Sequence, residues 1–291
     1  MRKTLAARKQ PLSSQSSQRR CFSAVFARSA VALVALACAG CGGSTESSPT
    51  SPTSSSAPGV SACGVIGGTG SLSTAILNGT ACSVATSSVV LVNMRDKDGL
   101  ATGACSGTVI SPRAVLTAAH CLDGDTAAVR IFPGTGSEVV AESFSPYPLY
   151  RESDPSSLDV GVVIASQDLN RAAMKLLVSR SAQVGETAVI AGWGKDALGN
   201  GTVLRAGTTT VSGLSATFLQ TQFSNTSSSV CQGDSGGPLL VSEGGVWAIA
   251  GVTSAVTVSG SCTAGTNFYT NLRHPDVMSF IFGLVPNAAR Q

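Results

Sequence analysis

Short runs of Val, Ile and Thr, each closed by Gly, Asn or Pro, recur along most of this chain. No long stretch repeats its apolar residues at the helical period. β-Branched residues suit a pleated, half-buried surface, and Gly, Asn and Pro supply the turns between such segments, so the pattern predicts an all-β sandwich or barrel. With 291 residues, 43% hydrophobic and 12% charged, there is material for one large globular unit, or two small ones, and a tail. The formal charge of +3 is modest, and Arg2, Lys3, Arg8, Lys9, Arg19, Arg20 and Arg28 all lie near the start. The rest of the chain is not basic, which argues against a nucleic-acid partner.

Residues 1–41 read as a secretory signal. Arg28 is followed by Ser29-Ala-Val-Ala-Leu-Val-Ala-Leu-Ala-Cys38-Ala-Gly-Cys41: a basic region, a short apolar core, then small residues. An apolar run of about ten residues is too short to cross a bilayer as a helix. Ala39-Gly40-Cys41 resembles a bacterial lipobox, in which the cysteine is acylated and becomes the new N-terminus, although Cys38 stands where Leu is usual. Lipidation at Cys41 is therefore the expectation, and plain secretion the alternative. Residues 42–62, rich in Ser, Thr and Pro, have almost nothing apolar to bury and read as an extended tether.

Cysteine usage agrees with export. The chain has nine; with Cys41 acylated, Cys63, Cys82, Cys105, Cys121, Cys231 and Cys262 remain beyond it. That even set suits disulfides in an oxidising compartment. The same region has no Cys-x-x-Cys pair of metal-ligand spacing. No metal or nucleotide motif is found, so no cofactor is expected.

Gly233-Asp-Ser-Gly-Gly237 fits G-x-S-x-G, the pattern of a nucleophilic serine on a strand-to-helix elbow. That α/β-hydrolase machine needs an acid and then a histidine after the serine. The chain has only two histidines, His120 and His274. Between Ser235 and His274 the sole carboxylate is Glu243, and Trp247–Ser254 reads as strand with no crossover helix before it. The other order fits better. Val115-Leu-Thr-Ala-Ala-His120 reads as a buried strand entering a turn. Asp159 opens the apolar run Val160-Gly-Val-Val-Ile164, where a carboxylate is costly to bury without a partner, and a histidine N–H is one such partner. His120, Asp159, Ser235 is the order of a Ser-His-Asp triad in an all-β hydrolase.

On these residues the chain from about 76 to 284 resembles the trypsin/chymotrypsin-like serine proteases. Thr117-Ala-Ala-His-Cys121 and Gly233-Asp-Ser-Gly-Gly-Pro238 match the family signatures without a change, and Leu158-Asp159-Val160 resembles the third motif more loosely. The resemblance implies two packed six-stranded antiparallel β-barrels, about 76–175 and 176–284, with the active site between them and a short C-terminal helix over 275–284. It implies Ser235 as nucleophile, His120 as base and then acid, Asp159 as orienter, Ser254 as a support for Asp159, and the N–H groups of Gly233 and Ser235 as oxyanion hole. It implies bridges Cys105–Cys121 and Cys231–Cys262, leaving Cys63 and Cys82.

Family members are usually made as zymogens whose new N-terminus pairs with the aspartate before the nucleophile, here Asp234. Val65-Ile-Gly-Gly68 has the usual letters, but Ile76 has the family's spacing to Cys105, so cleavage is expected after Ala75. Residues 42–75 then form tether and propeptide, and 76–291 the protease domain. A Cys63–Cys82 bridge would keep the cut propeptide, or with it the lipid anchor, attached. For the specificity pocket, alignment puts Ser229 at the floor and Val256 and Asn267 in the walls. A serine floor cannot neutralise a cation, and bulk in the walls makes a shallow pocket. The stretch Ser254–Cys262 resembles that of elastases, implying cleavage after small aliphatic residues and, given the Ala75–Ile76 junction, self-activation. The expectation is thus an exported, monomeric endopeptidase, membrane-anchored or secreted, acting on protein or peptide substrates. The rival is a silent surface-anchored binding protein on the same scaffold.

Overall fold

A computed structural model describes residues 61–74, 76–196, 199–224, 226–257 and 262–291, the side chains of 71–74 excepted. All lie in one compact unit, Ser56–Gln291. Cys41, with the signal and most of the tether, falls outside the described residues.

Six strands close the first barrel: β3 (Val89–Arg95), β4 (Ala101–Ser111), β5 (Ala114–Thr117), β6 (Ala128–Phe132), β7 (Val139–Pro146) and β8 (Gly161–Ala165), in the order β3-β4-β5-β8-β7-β6. Every pairing is antiparallel. The period-two rule shows in β6, where Val129 and Ile131 are buried between exposed Ala128 and Arg130. β5 is buried throughout, because it runs between β4 and β8 at the face that meets the second barrel.

The second barrel is built from β10 (Thr187–Gly192), β11 (Arg205–Leu214), β12 (Phe218–Gln222), β13 (Pro238–Glu243), β14 (Val246–Val256) and β15 (Thr266–Asn271). They run β11-β10-β13-β14-β15-β12, and β12 pairs back onto β11 to close the ring. The short β9 (Lys175–Leu176) adds in parallel to β14. Helix α2 (Pro275–Leu284) comes last, with Val277 and Ile281 buried one turn apart. His274 caps that helix, its Nδ1 accepting the Asp276 N–H, which accounts for this histidine without any role in a triad.

Strand pairing departs from the sequence reading at the N-terminal side. β1 (Gly70–Thr74) and β2 (Thr80–Cys82) extend the second sheet beyond β11, although residues 76–82 precede the whole first barrel in sequence. The segment before Ile76 is also packed. Helix α1 (Ala62–Val65) leads to Ile66, which is 0% exposed, and Cys63 is bonded to Cys82 with Cα atoms 5.3 Å apart. The Ile66 carbonyl accepts Ser88 N–H at 2.9 Å, at the entry to the first barrel, while β1 pairs along the second. Gly67 has φ +81°, and a Cβ there would lie 2.8 Å from the Thr86 carbonyl. One short run thereby touches both barrels. Reading residues 42–75 as tether and propeptide gave no sign of this, because only Cys63 and Ile66 are anchors.

Candidate active site

His120 sits in a 3₁₀ turn, Ala119–Cys121, directly after β5. The next residue, Cys121, is bonded to Cys105 on β4, with Cα atoms 6.4 Å apart. Closing a loop of this size stabilises a fold by about 3 kcal/mol in the chain-entropy picture, and here it fixes the turn against the barrel wall. Cys105, His120 and Cys121 bring ligand atoms within 4.8 Å of one another, but the two sulfurs are joined to each other and so do not offer thiolates to a metal.

Asp159 stands just before β8, 3% exposed. Its Oδ1 accepts the backbone N–H of His120 at 2.9 Å, and its Oδ2 lies 2.7 Å from His120 Nδ1. Ser254 donates its hydroxyl to the same Oδ2 at 2.7 Å. Thr270 donates to the Asp159 carbonyl at 2.8 Å, fixing the backbone. Three donors on one carboxylate compensate its burial. A carboxylate at Nδ1 keeps the proton there and leaves Nε2 as the free base. Burial lowers the His120 pKa, but the hydrogen bond and charge of Asp159, with the charge of Glu152, outweigh this and leave it raised above its ordinary value.

Ser235 is half-buried on the loop between β12 and β13, and this loop is pinned against the histidine segment. Gly236 has φ +81°, and a Cβ there would lie 2.1 Å from Thr117 Oγ1 and 2.9 Å from Ala118 N. Only glycine allows that approach, which sets Ser235 beside the turn that carries His120. Ser106, on β4, holds the loop with two bonds and is itself tied to Trp193 by a third. Its N–H donates to the Ser235 carbonyl at 2.8 Å, and its hydroxyl donates to the Gly233 carbonyl at 2.9 Å while accepting Trp193 N–H at 2.9 Å. Gly233 has φ +95°. Among the described residues, the N–H groups of Gly233 and Ser235 have no acceptor, so both are open to a ligand. Sequence reasoning missed Ser106; only its position next to Cys105 hinted at it.

Asp234 is fully buried under this loop. Its carboxylate accepts Gly194 N–H and Cys231 N–H, each at 2.8 Å. Burial pushes its pKa up to about 6, against these bonds and the nearby Arg205 charge, which pull it down. Ile76, 1% exposed, lies in the second barrel's core together with Val230, and Leu77 bridges to Ser229.

Ser229 and Asn267, each 1% exposed, meet inside the second barrel: Ser229 Oγ donates to Asn267 Oδ1 at 3.2 Å. Val256 is the cross-strand partner of Asn267. Cys231 is bonded to Cys262 beside them. A cavity of about 730 Å³ is lined among others by His120, Tyr150, Asp159, Phe218, Ser254 and Val256, but not by Ser229, Asn267 or Ser235. The structure therefore joins His120, Asp159 and Ser254 in one hydrogen-bonded chain, sets Ser235 and Gly233 on an adjoining pinned loop, and gathers Ser229, Val256 and Asn267 at one place.

The Trypsin family model matches residues 76–280. The chain belongs to the trypsin family. Within it, the chain is 29% identical over 101 residues to a trypsin of Simulium vittatum, a match covering 31% of this chain and 40% of the relative. It is 26% identical over 187 residues to human transmembrane protease serine 5, covering 52% and 40%. It thus spans about two fifths of the length of these curated relatives. A solved structure described as HL collagenase superposes with a TM-score of 0.59 at 19% identity, covering 70% of this chain and 95% of that one. That likeness carries the trypsin-family fold, two closed six-stranded barrels.

Proposed function

We propose that the protein is a serine endopeptidase. The carrying observation is the two-point hold of Asp159 on His120, set against a pinned loop that presents Ser235 and two open N–H groups. Ser235 Oγ attacks the substrate carbonyl as His120 Nε2 removes its proton, giving a tetrahedral oxyanion that Gly233 N–H and Ser235 N–H receive. His120 then gives the proton to the leaving amine, and an acyl-enzyme remains. Water, activated by the same histidine, releases the acid. Asp159 stabilises the imidazolium, and Ser254 supports Asp159. One oxyanion donor is worth roughly 3–4 kcal/mol in the transition state, which is why the loop needs its two bonds to Ser106.

The residue before the cleaved bond is small and aliphatic in this reading. Ser229 carries no charge to hold a basic side chain, and Asn267 and Val256 occupy the space a long one needs. Purified protein offered a randomised peptide library should cut after Ala or Val. Cleavage after Arg or Lys would sink the pocket assignment.

The enzyme is made as a zymogen cut between Ala75 and Ile76. The new Ile76 ammonium then neutralises Asp234, whose buried carboxyl otherwise lacks full compensation. Small-residue specificity makes this junction a substrate of the enzyme itself; an isolated Ser235→Ala protein that is still cut there would refute self-activation. The basic-then-apolar pattern of residues 1–41 and the lipobox-like Cys41 support a monomer exported from the cytoplasm, lipid-anchored or secreted.

A further inference from the structure

We infer that Thr221 and Tyr269 set the substrate preference from behind the pocket, by clamping Asn267 in its wall. This rests on the endopeptidase reading and on the pocket of Ser229, Val256 and Asn267.

Strands β12, β15 and β14 lie side by side, and their register puts Thr221, Asn267 and Val256 in one row across the sheet. Directly opposed residues have Cβ atoms only about 4.5–5.5 Å apart, so each neighbour reaches the other. The Asn267 amide is used at both ends. Its Nδ2 donates to Thr221 Oγ1 at 3.1 Å, and its Oδ1 accepts from Ser229 Oγ at 3.2 Å. Thr221 Oγ1 in turn lies 3.2 Å from the Tyr269 hydroxyl. Tyr269 stands two residues along β15 from Asn267, hence on the same face. Thr221 and Tyr269 are wholly buried, and burial pushes the phenol pKa above its ordinary value, so it keeps its proton. Its place is cleared by Gly251, where a Cβ would lie 2.9 Å from Tyr269 Cβ.

An asparagine amide has a broad terminal torsion and turns freely unless hydrogen bonds hold it. Here the chain Tyr269–Thr221–Asn267–Ser229 holds it at both ends. A small side chain before the cleaved bond fits in front of the amide. A large one has to displace it, and then breaks its bonds to the buried Ser229 and Thr221 hydroxyls. Discrimination against bulk therefore lies partly in Thr221 and Tyr269, which have no contact with the triad and act as positioning residues through Asn267.

The test compares kcat/KM for two peptides that differ only in Ala or Phe before the cleaved bond. Thr221→Val removes the hydroxyl at nearly constant shape, Thr221→Ser keeps it, Tyr269→Phe removes only the phenol oxygen, and Asn267→Gly removes the wall side chain. We expect Asn267→Gly to raise the Phe/Ala ratio the most, and Thr221→Val and Tyr269→Phe to raise it about tenfold, the scale of one lost discriminating contact. Thr221→Ser should restore the wild-type ratio, and kcat for the Ala peptide should hardly move in the Thr221 and Tyr269 variants. An equal fall for both peptides, with a lower melting temperature, would mean a merely structural role and overturn the inference. So would a wild-type preference for Ala that Thr221→Val and Tyr269→Phe leave intact. A wild-type enzyme that cuts equally well after Phe overturns the pocket reading as well.

Discussion

Asp159 grips His120 at two points, its Oδ2 on the ring Nδ1 at 2.7 Å and its Oδ1 on the histidine's own backbone N–H at 2.9 Å. Ring and main chain are thus fixed by one carboxylate. The imidazole has a single tautomer and orientation open to it, and Nε2 is the nitrogen left to act.

That geometry dictates a pH dependence. The base works only when neutral, and Asp159 and Glu152 hold the His120 pKa above its ordinary 6.5. The acid limb of kcat/KM should therefore fall at a pH above 6.5. Glu152→Gln removes a raising charge, so the limb should move to lower pH. Stopped assays from pH 5 to 9 would check both, and an unmoved limb would deny Glu152 any influence on the base.

Ser106 is placed to orient the oxyanion loop through the Gly233 carbonyl. Ser106→Ala leaves that carbonyl and the Trp193 N–H with no partner there. A buried hydrogen bond is worth about 1 kcal/mol net, and more when an unpaired group is left behind. We expect kcat to fall about tenfold with KM nearly unchanged, because the lost alignment matters only once the oxyanion forms. Steady-state kinetics on one peptide separates the two constants.

Asp234 makes cleavage a pH-dependent stabiliser. Its folded-state pKa, about 6, lies above the ordinary carboxylate range, so the uncut chain binds that proton more tightly folded than unfolded. It therefore loses stability as pH rises through about 6. The Ile76 ammonium compensates only an ionised carboxyl. The cut form should melt higher than the uncut Ser235→Ala form at pH 7, and the gap should shrink at pH 5. Thermal unfolding of the two forms at both pH values reads this directly.

The Cys63–Cys82 bridge joins the two sides of the Ala75–Ile76 bond. Cleaved enzyme should keep its upstream segment in non-reducing mass analysis and lose it once reduced and denatured. If the segment is gone without reductant, the tether idea fails. Ile66→Ala should destabilise the cleaved form by about 2–5 kcal/mol, as for other large-to-small changes in cores, because Ile66 is wholly buried.

An all-β fold was legible because alternating β-branched runs leave few other ways to bury themselves, whereas the pair of barrels was implied only by the family resemblance. The contacts of Asp159 with His120 and Ser254 could be anticipated because each residue sits in a recognisable string. Ser106, Thr221 and Tyr269 could not. Each looks like an ordinary strand residue, and their partners are distant in sequence: Ser106 reaches Gly233 across 127 positions and Thr221 reaches Asn267 across 46. Nor could the packing of residues 61–70 be seen, since a stretch with two buried anchors reads like a tether until the groove that takes them is known.

The central claim is that Ser235 is a nucleophile armed by His120. The most direct measurement is labelling of the folded protein by a serine-directed fluorophosphonate, followed by mass. The account predicts one adduct, on Ser235, formed slowly or not at all in His120→Ala and absent in Ser235→Ala. A wild-type protein that stays unlabelled, or Ser235→Ala that labels as fast as wild type, would contradict it.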